Sequence, residues 1–472
     1  MIKNKLLAFA ISAMTIFSCI TNAIASPDKV FIENEALDAP EIQSEAALLA
    51  DLNTGRILYS KNSQKKIYPA STTKILTAII ALEYGELDDV LTASVSALSP
   101  ITNEDSHMGL LIGEQLTLEQ LLYGMMIYSA NDASNVIAEY IGGTTENFVE
   151  IMNQELEEIG AENTHFSNAY GIHDQNHYTT AEDMLKITRY AMQNETFREI
   201  VDTEIYKIAP TEQYPNERVL PNTNLFVGSY RSTEFFDPNV TGIKTGSTSD
   251  AGHCLVTSAL KDETELVSLV FKAPDKNTSY TDSKALLDLG FANYTQTTIA
   301  SPDAIVLDSK VYEAKDDTRV ALTVDSEVKA LLPKDTNVQE AVTSEHSLPK
   351  QIKSPIKKGD PIATITYKYN GNEIGTANLI AANDVERNNL LFLYHIVFNI
   401  TTHPLFIIPA ILIILLLIIR HINVKQQKKL ERKRRIQNAQ KKLDSKRPPQ
   451  SPEATRYAKF DGPRNSTSRY KR

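Results

Sequence analysis

The sequence predicts an α/β (α+β) fold. A domain with an antiparallel sheet and a helical subdomain comes first, then a small all-β domain and a C-terminal transmembrane helix. Three observations carry that prediction. Over residues 40–292, strand-like apolar runs stand at both ends of a series of helix-period segments. Over residues 295–387 only short alternating stretches remain, the pattern of strands. Then Leu405 to Ile419 reads LFIIPAILIILLLII, and extended back to about Ile400 it has the roughly 20 residues a bilayer requires. A length of 472 residues exceeds one ordinary domain, and a hydrophobic fraction of 42% is ample for more than one core.

The ends come next. Residues 1–25 have the order of a signal peptide: Lys3 and Lys5 precede the apolar run Leu6 to Phe17, and Ala23-Ile24-Ala25 is a small-x-small cleavage site. The alternatives are an uncleaved anchor, for which the run is short, and lipidation at Cys19, which the bulky Phe17 disfavours. With Cys19 removed, Cys254 stands alone, so an internal disulfide and a cysteine-built zinc site are excluded. The transmembrane helix is placed at 400–420 and a basic tail at 421–472. From Arg420 onward 18 Lys and Arg face 4 Asp and Glu, a net of +14, which leaves −25 on residues 1–419 within a total of −11. The positive-inside rule then puts the tail in the cytoplasm and the acidic part on the outer side of the cell membrane. Pro448, Pro449 and many Ser, Gln and Lys predict a disordered tail. Topology and contact with anionic lipid account for its charge without nucleic acid.

Each element between the ends follows from local pattern. A polar, acidic lead-in covers 26–43. AALLADLNTGRILYSKN predicts two strands about the turn Asn53-Thr54-Gly55. ILTAIIALEYG, after Lys74, is apolar on nearly every face and predicts a buried helix. LTLEQLLYGMMIYSANDASNVIAEYIGG predicts two helical segments, broken near Ser129 to Asp132 and ending at Gly142-Gly143. NFVEIMNQELEEIGA and TAEDMLKITRYAMQ predict further helices. VTGIKTGSTSDAGHCLVTSAL with TELVSLVF predicts two or three antiparallel neighbours, and YTDSKALLDLGFANY a closing helix. In the β unit, AIVLDSKVYEA and TRVALTVDS predict strands, and ATITYKYNGNEIGTANLIA a hairpin over Asn370-Gly371.

Chemistry enters at YPASTTKIL. Ser71 and Lys74 stand three apart, yet so do seven other pairs, beginning at Ser26, Ser63, Ser258, Ser326, Ser347, Ser354 and Ser468. Of these, Ser71 opens the long apolar helix. Positions i and i+3 share a helix face, burial disfavours an ammonium, and a neutral amine can take the proton of a neighbouring hydroxyl. The plainer alternative is that Ser71 caps the helix and Lys74 snorkels. Ser129-Ala130-Asn131 falls at the break between two helices, where a loop lets a hydroxyl and an amide converge to relay a proton and hold a carbonyl. Otherwise they are ordinary helix caps. Lys244-Thr245-Gly246 is the one Lys-Thr-Gly in the chain. Gly242 and Gly246 would let another backbone approach that strand. A peptide added at its edge would meet the Lys244 charge and the N–H of Ser247, placed for a developing oxyanion. The alternative is an ordinary strand with an exposed lysine. His173 and His177 have a spacing that metal ligands use on a helix. But GIHDQNHY reads as a plain surface loop without a companion ligand, so no metal and no cofactor are expected.

In the order Ser-x-x-Lys, Ser-x-Asn, Lys-Thr-Gly, on a helix, a loop and a strand, these elements are the signature of penicillin-binding proteins and serine β-lactamases. DLNTGRILYSKNSQKKIYPASTTKILTA, LLYGMMIYSANDASNVIAEYIGG, HYTTAEDMLKITRYAM and GIKTGSTSDAGHCLVTSA closely resemble the D-alanyl-D-alanine carboxypeptidases of peptidase family S11, the low-molecular-mass penicillin-binding proteins. The resemblance runs from about residue 40 to 385, and SPIKKGDPIATITY is much like their C-terminal domain. It implies a serine β-lactamase/DD-peptidase-like catalytic domain. In it Ser71 is the nucleophile, Lys74 the general base and Ser129 the proton relay. Asn131, Lys244 and Thr245 bind substrate, and the N–H groups of Ser71 and Ser247 form the oxyanion hole. The implied substrate is a peptidoglycan stem pentapeptide that loses its terminal D-alanine, and β-lactams would acylate the same serine.

The chain departs from that family pattern in two places. Many relatives end in an amphipathic surface helix, whereas this chain has a spanning segment and a basic tail. Relatives often place an arginine after the strand that follows Lys-Thr-Gly, whereas FKAPDKNTS offers only Lys272 and Lys276. Two competing readings are a serine β-lactamase, against which no Glu-x-x-Leu-Asn motif occurs, and a non-catalytic wall-binding scaffold, which has no need of Ser71 or Lys74.

Overall fold

The computed structural model describes residues 40–445. The expected signal peptide, Cys19 and the tail beyond 445 lie outside the described residues. The chain divides into two units. One holds the described residues up to Tyr312 together with Asp317–Glu386, and the other holds Glu313–Asp316 and the described residues from Arg387.

The first unit starts with strands β1 (Ala46–Asp51) and β2 (Ile57–Lys61), paired about the expected turn. A 3₁₀ turn over Ala70–Thr73 runs directly into helix α1 (Lys74–Tyr84). Strand β3 (Val90–Thr92), helix α2 (Val95–Leu98) and strand β4 (Gln115–Thr117) follow as a small excursion. Helix α3 (Leu118–Met126) begins at a capping box between Thr117 and Gln120, which satisfies two otherwise orphaned N–H groups. The chain then breaks and restarts as α4 (Asn131–Gly142), which stops at Gly143 with φ 75°. Helices α5 (Thr145–Ile159), α6 (Ala181–Ala191) and α7 (Glu195–Val201) complete the helical part. The first two were expected and α7 was not.

A hairpin of β5 (Ile205–Ile208) and β6 (Arg218–Pro221) precedes β7 (Val240–Thr248), β8 (Gly252–Lys261) and β9 (Thr264–Ala273). The central sheet is antiparallel in the order β2-β1-β9-β8-β7, so β7 is an edge strand. All six residues of β1 are buried. Ala46, Leu48 and Ala50 join one core with α1, α3, α4 and α6, while Ala47 and Leu49 join a second core with helix α8 (Lys276–Asn293). A sheet covered on both faces explains why β1 reads as a continuous apolar run rather than an alternating one.

Helix α8 begins four residues before the expected start, because the Asp275 side chain accepts the Thr278 N–H as a cap. FKAPDKNTS is therefore not one loop. Lys272 lies in β9, with its ammonium 2.7 Å from Glu45, and Lys276 is the first residue of α8.

The β part of this unit contains β10 (Tyr294–Ala300), β11 (Leu307–Tyr312), β12 (Arg319–Val324) and β13 (Val328–Pro333). It continues with helix α9 (Val338–Ala341), β14 (Val342–His346), β15 (Ile352–Lys353), β16 (Pro361–Tyr369) and β17 (Asn372–Ala381). Six of these strands form one sheet in the order β14-β16-β17-β12-β11-β15, and β10 pairs with β13. The expected β16–β17 hairpin turns on Asn370 (φ 48°) and Gly371 (φ 81°), the two left-handed positions that such a tight turn demands.

In the second unit, α10 (Asn389–Thr402) is followed by α11 (Pro404–Asp444), a helix long and apolar enough to cross a membrane. The chain breaks at His403 and the long helix starts at Pro404, inside the expected 400–420. The expected disorder from 421 onward does not hold as far as Asp444. No Gly or Pro falls between Pro409 and Pro448, and the Lys, Arg, Gln, Ala and Leu of this stretch are strong helix formers.

Candidate active site

The opening of α1 builds the centre of the site. Pro69 leads into Ala70, which has φ 49°, and then into the 3₁₀ turn that carries Ser71. No side chain of the described residues caps this turn or α1, so the Ser71 hydroxyl is not spent as a cap. Because α1 is apolar nearly all round, it sinks into the core and takes Lys74 with it, to 0% exposure.

The Lys74 ammonium position has three neighbours: Ser71 Oγ at 3.0 Å, Asn131 Oδ1 at 2.7 Å and Tyr170 O at 2.8 Å. Burial holds its pKa well below the ordinary lysine value. The charge of Lys244 acts in the same direction, and Asp132 and Asp105 oppose it. A neutral amine has two N–H bonds and one lone pair. Asn131 Oδ1 and Tyr170 O can only accept, so they take the two hydrogens. The lone pair is left facing the one neighbour with a proton to give, the Ser71 hydroxyl.

The break between α3 and α4 is held from several sides. Ala130 N–H donates to Gly124 O at 3.0 Å and Asn131 N–H to Ser106 O at 2.7 Å. The buried Asp132 carboxylate accepts the N–H groups of Met108 (3.1 Å) and Leu110 (3.0 Å). Ser129 has φ 66° and is nearly buried, and among the described residues its hydroxyl has no hydrogen-bond partner. Asn131 opens α4, with its carbonyl oxygen turned to Lys74.

Strand β7 closes the other side. Lys244 is 1% exposed, and among the described residues its Nζ has no hydrogen-bond partner. Burial pushes its pKa down to about 7. Thr245 Oγ1 lies 2.9 Å from Thr223 Oγ1, a partner that no local pattern indicated. A Cβ on Gly246 would lie 3.0 Å from Ser71 N and 3.1 Å from Pro69 O, so the glycine is what lets the strand press against the serine turn. Ser247, the next residue, is exposed and pairs with His253 on β8.

The segment read as a plain surface loop needs correction. His173 is exposed and faces Asp250 at 3.9 Å, but His177 is 1% exposed and stacks on Phe166 at 4.8 Å between ring centroids. Its Nδ1 accepts the Ser167 N–H at 3.0 Å, and its Nε2 lies 2.8 Å from Thr73 Oγ1. Burial pushes its pKa down to about 3, so the ring is neutral. Among the described residues no group of three His, Cys, Asp or Glu could hold a metal ion. The sequence signal was the histidine itself, read by its spacing to His173 when its partner was Thr73. Tyr170 gave no signal, since it contributes only a backbone carbonyl.

Two family models match the chain: peptidase S11, D-alanyl-D-alanine carboxypeptidase, over residues 33–275, and the penicillin-binding protein 5 C-terminal domain over residues 294–387. The chain is 32% identical over 356 residues to D-alanyl-D-alanine carboxypeptidase DacA of Haemophilus influenzae, covering 73% of this chain and 86% of that protein. It is 30% identical over 351 residues, with the same coverage, to D-alanyl-D-alanine carboxypeptidase DacF of Bacillus subtilis. Among solved structures, penicillin binding protein 5 from Haemophilus influenzae matches with a TM-score of 0.60 at 30% identity, over 75% of this chain and 100% of that one. The chain belongs to the peptidase S11 family of D-alanyl-D-alanine carboxypeptidases.

Proposed function

We propose that the protein is a serine-type D-Ala-D-Ala carboxypeptidase, which removes the terminal D-alanine of peptidoglycan stem pentapeptides through an acyl-enzyme on Ser71. The observation that carries this reading is the buried Lys74 amine between two obligate acceptors and the Ser71 hydroxyl. Lys74 takes the Ser71 proton as Oγ bonds to the carbonyl carbon of the penultimate D-alanine. The N–H groups of Ser71 and Ser247 receive the oxyanion. The C–N bond to the terminal residue breaks, and its nitrogen receives a proton through Ser129, whose hydroxyl has no other partner among the described residues. Water then attacks the ester, with Lys74 again as base, and frees Ser71. The open edge of β7 suits a peptide added by main-chain hydrogen bonds, with Lys244 and Thr245 beside its carboxylate and Asn131 orienting it. β-Lactams acylate the same serine as mimics of the substrate.

The long helix α11 is the membrane anchor in this reading. The positive charge that begins at Arg420 sets the tail in the cytoplasm and the catalytic part outside.

The test is to label the detergent-purified protein with a fluorescent penicillin and to measure D-alanine released from a pentapeptide. Stable labelling with D-alanine release, both lost in Ser71→Ala, is the expected result. Rapid penicillin turnover without D-alanine would instead indicate a β-lactamase, and no labelling at all would leave the scaffold reading.

A further inference from the structure

His177 lies outside the group that touches substrate in the proposed reaction, yet it is buried, at 1% exposure, in the loop behind the serine turn. Its bonds have a fixed direction. Nδ1 accepts the Ser167 N–H at 3.0 Å, so Nε2 carries the ring hydrogen and donates to Thr73 Oγ1 at 2.8 Å. The Thr73 hydroxyl, accepting that bond, donates its own hydrogen to Ala70 O at 2.9 Å. Ala70 precedes Ser71 and sits at φ 49°, a conformation that non-glycine residues hold only where the surroundings over-determine it.

The same loop reaches Lys74. Gly171 packs so tightly on Ala70 that a Cβ there would lie 1.9 Å from Ala70 O, and the preceding residue, Tyr170, supplies a carbonyl acceptor for Lys74. Asn168 Oδ1 accepts the Gly171 N–H at 2.7 Å, and Thr77 of α1 donates to Ala169 O at 2.6 Å. Ile67 and Thr179 exchange two backbone hydrogen bonds of 2.9 Å at the far end of the loop.

We infer that His177 is a positioning residue for acylation: as a neutral donor it fixes, through Thr73, the Ala70 carbonyl and hence the placement of Ser71 against Lys74. The inference rests on the reading of Ser71 as the acylated nucleophile. The ring's pKa of about 3 keeps the donor arrangement intact through the working pH range.

The experiment measures the acylation rate constant of the detergent-purified protein with fluorescent penicillin across pH, per folded molecule, with a melting curve for each variant. His177→Phe keeps the stacking on Phe166 and removes the hydrogen bonds of both ring nitrogens, to Thr73 on one side and to Ser167 and Asn168 on the other, and Thr73→Val removes the relay hydroxyl. His177→Gln retains a donor toward Thr73. The expected outcome is a loss of about 10- to 100-fold in His177→Phe and in Thr73→Val. The double variant should be no worse than the poorer single one, and His177→Gln should recover to within about fivefold of wild type. The acid limb of the pH profile, which Lys74 sets, should move in His177→Phe, because a shifted turn admits water to the amine. A purely structural role would lower the melting temperature and leave the rate constant and the pH midpoint of folded molecules alone. Unchanged acylation in a folded variant overturns the inference, as do single effects that multiply in the double variant. If His177→Phe does not fold, Thr73→Val decides alone. Absence of labelling in the wild type would instead overturn the reading on which the inference rests.

Discussion

Lys244 sets function against stability, and the size of the conflict can be worked from its surroundings. Its amine is buried without a hydrogen-bond partner among the described residues, and its pKa is pushed from 10.5 to about 7. At 1.36 kcal/mol per pH unit, this depression costs the folded state about 4 kcal/mol at pH 7. The folded amine releases its proton more readily than the unfolded one. The cost is therefore full below pH 7 and fades as pH rises from 7 through 10.5. Lys244→Met keeps most of the length, removes the charge and orphans no acceptor among the described residues. Domains of this size move by about 2–4 °C in Tm per kcal/mol, so thermal unfolding of the detergent-purified variant at pH 7 should rise by at least about 5 °C. The gain should shrink by pH 10.5. Acylation by penicillin should fall at the same time. The acid limb of its pH profile should move upward, because the Lys244 charge helps to hold Lys74 low. A variant that melts at or below the wild type at pH 7, or a gain that does not change with pH, would refute the reasoning.

Other expectations follow from the same contacts. In the wild type, acylation should rise with pH as Lys74 loses its proton, and do so well below 10.5. Lys74→Arg cannot deprotonate, so it should lose about 10²- to 10⁴-fold in acylation at every pH tested, and recovery at high pH would contradict the base role. Gly171→Ala would force a Cβ to within 1.9 Å of Ala70 O at a φ of +90°. It should cost about 2–5 kcal/mol by thermal or urea unfolding, and near-wild-type stability would show that the loop is not seated on the serine turn. Arg218 binds both oxygens of the buried Glu114 at 2.8 Å and the carbonyls of Met108 and Gly109 at 3.1 Å. Arg218→Met strands the carboxylate and should cost about 3–5 kcal/mol, again read by unfolding; a cost under about 1 kcal/mol would argue against a desolvated pair.

The sequence by itself determined what local chemistry and periodicity can express. An apolar helix beginning at Lys74 meant burial on nearly every face, and burial of an amine meant a depressed pKa. Asn370-Gly371 meant a tight hairpin, because those residues tolerate the left-handed backbone it needs. A charge-free apolar run followed by a basic stretch meant a candidate span. It misjudged the tail as far as Asp444, where composition suggested disorder but helix propensity without breakers prevailed.

Only the tertiary structure decided which atoms meet. The acceptor that helps to fix the Lys74 proton inventory is a backbone carbonyl 96 residues away. Thr245 meets Thr223 across 22 residues, and His177 meets Thr73 across 104. Lys244, buried on β7, has no such partner among the described residues. Residue types and spacing along one chain specify which groups can donate, accept or titrate. Their partners depend on how sheet, helix and loop pack, and a packed contact between distant segments leaves no periodic trace in either of them.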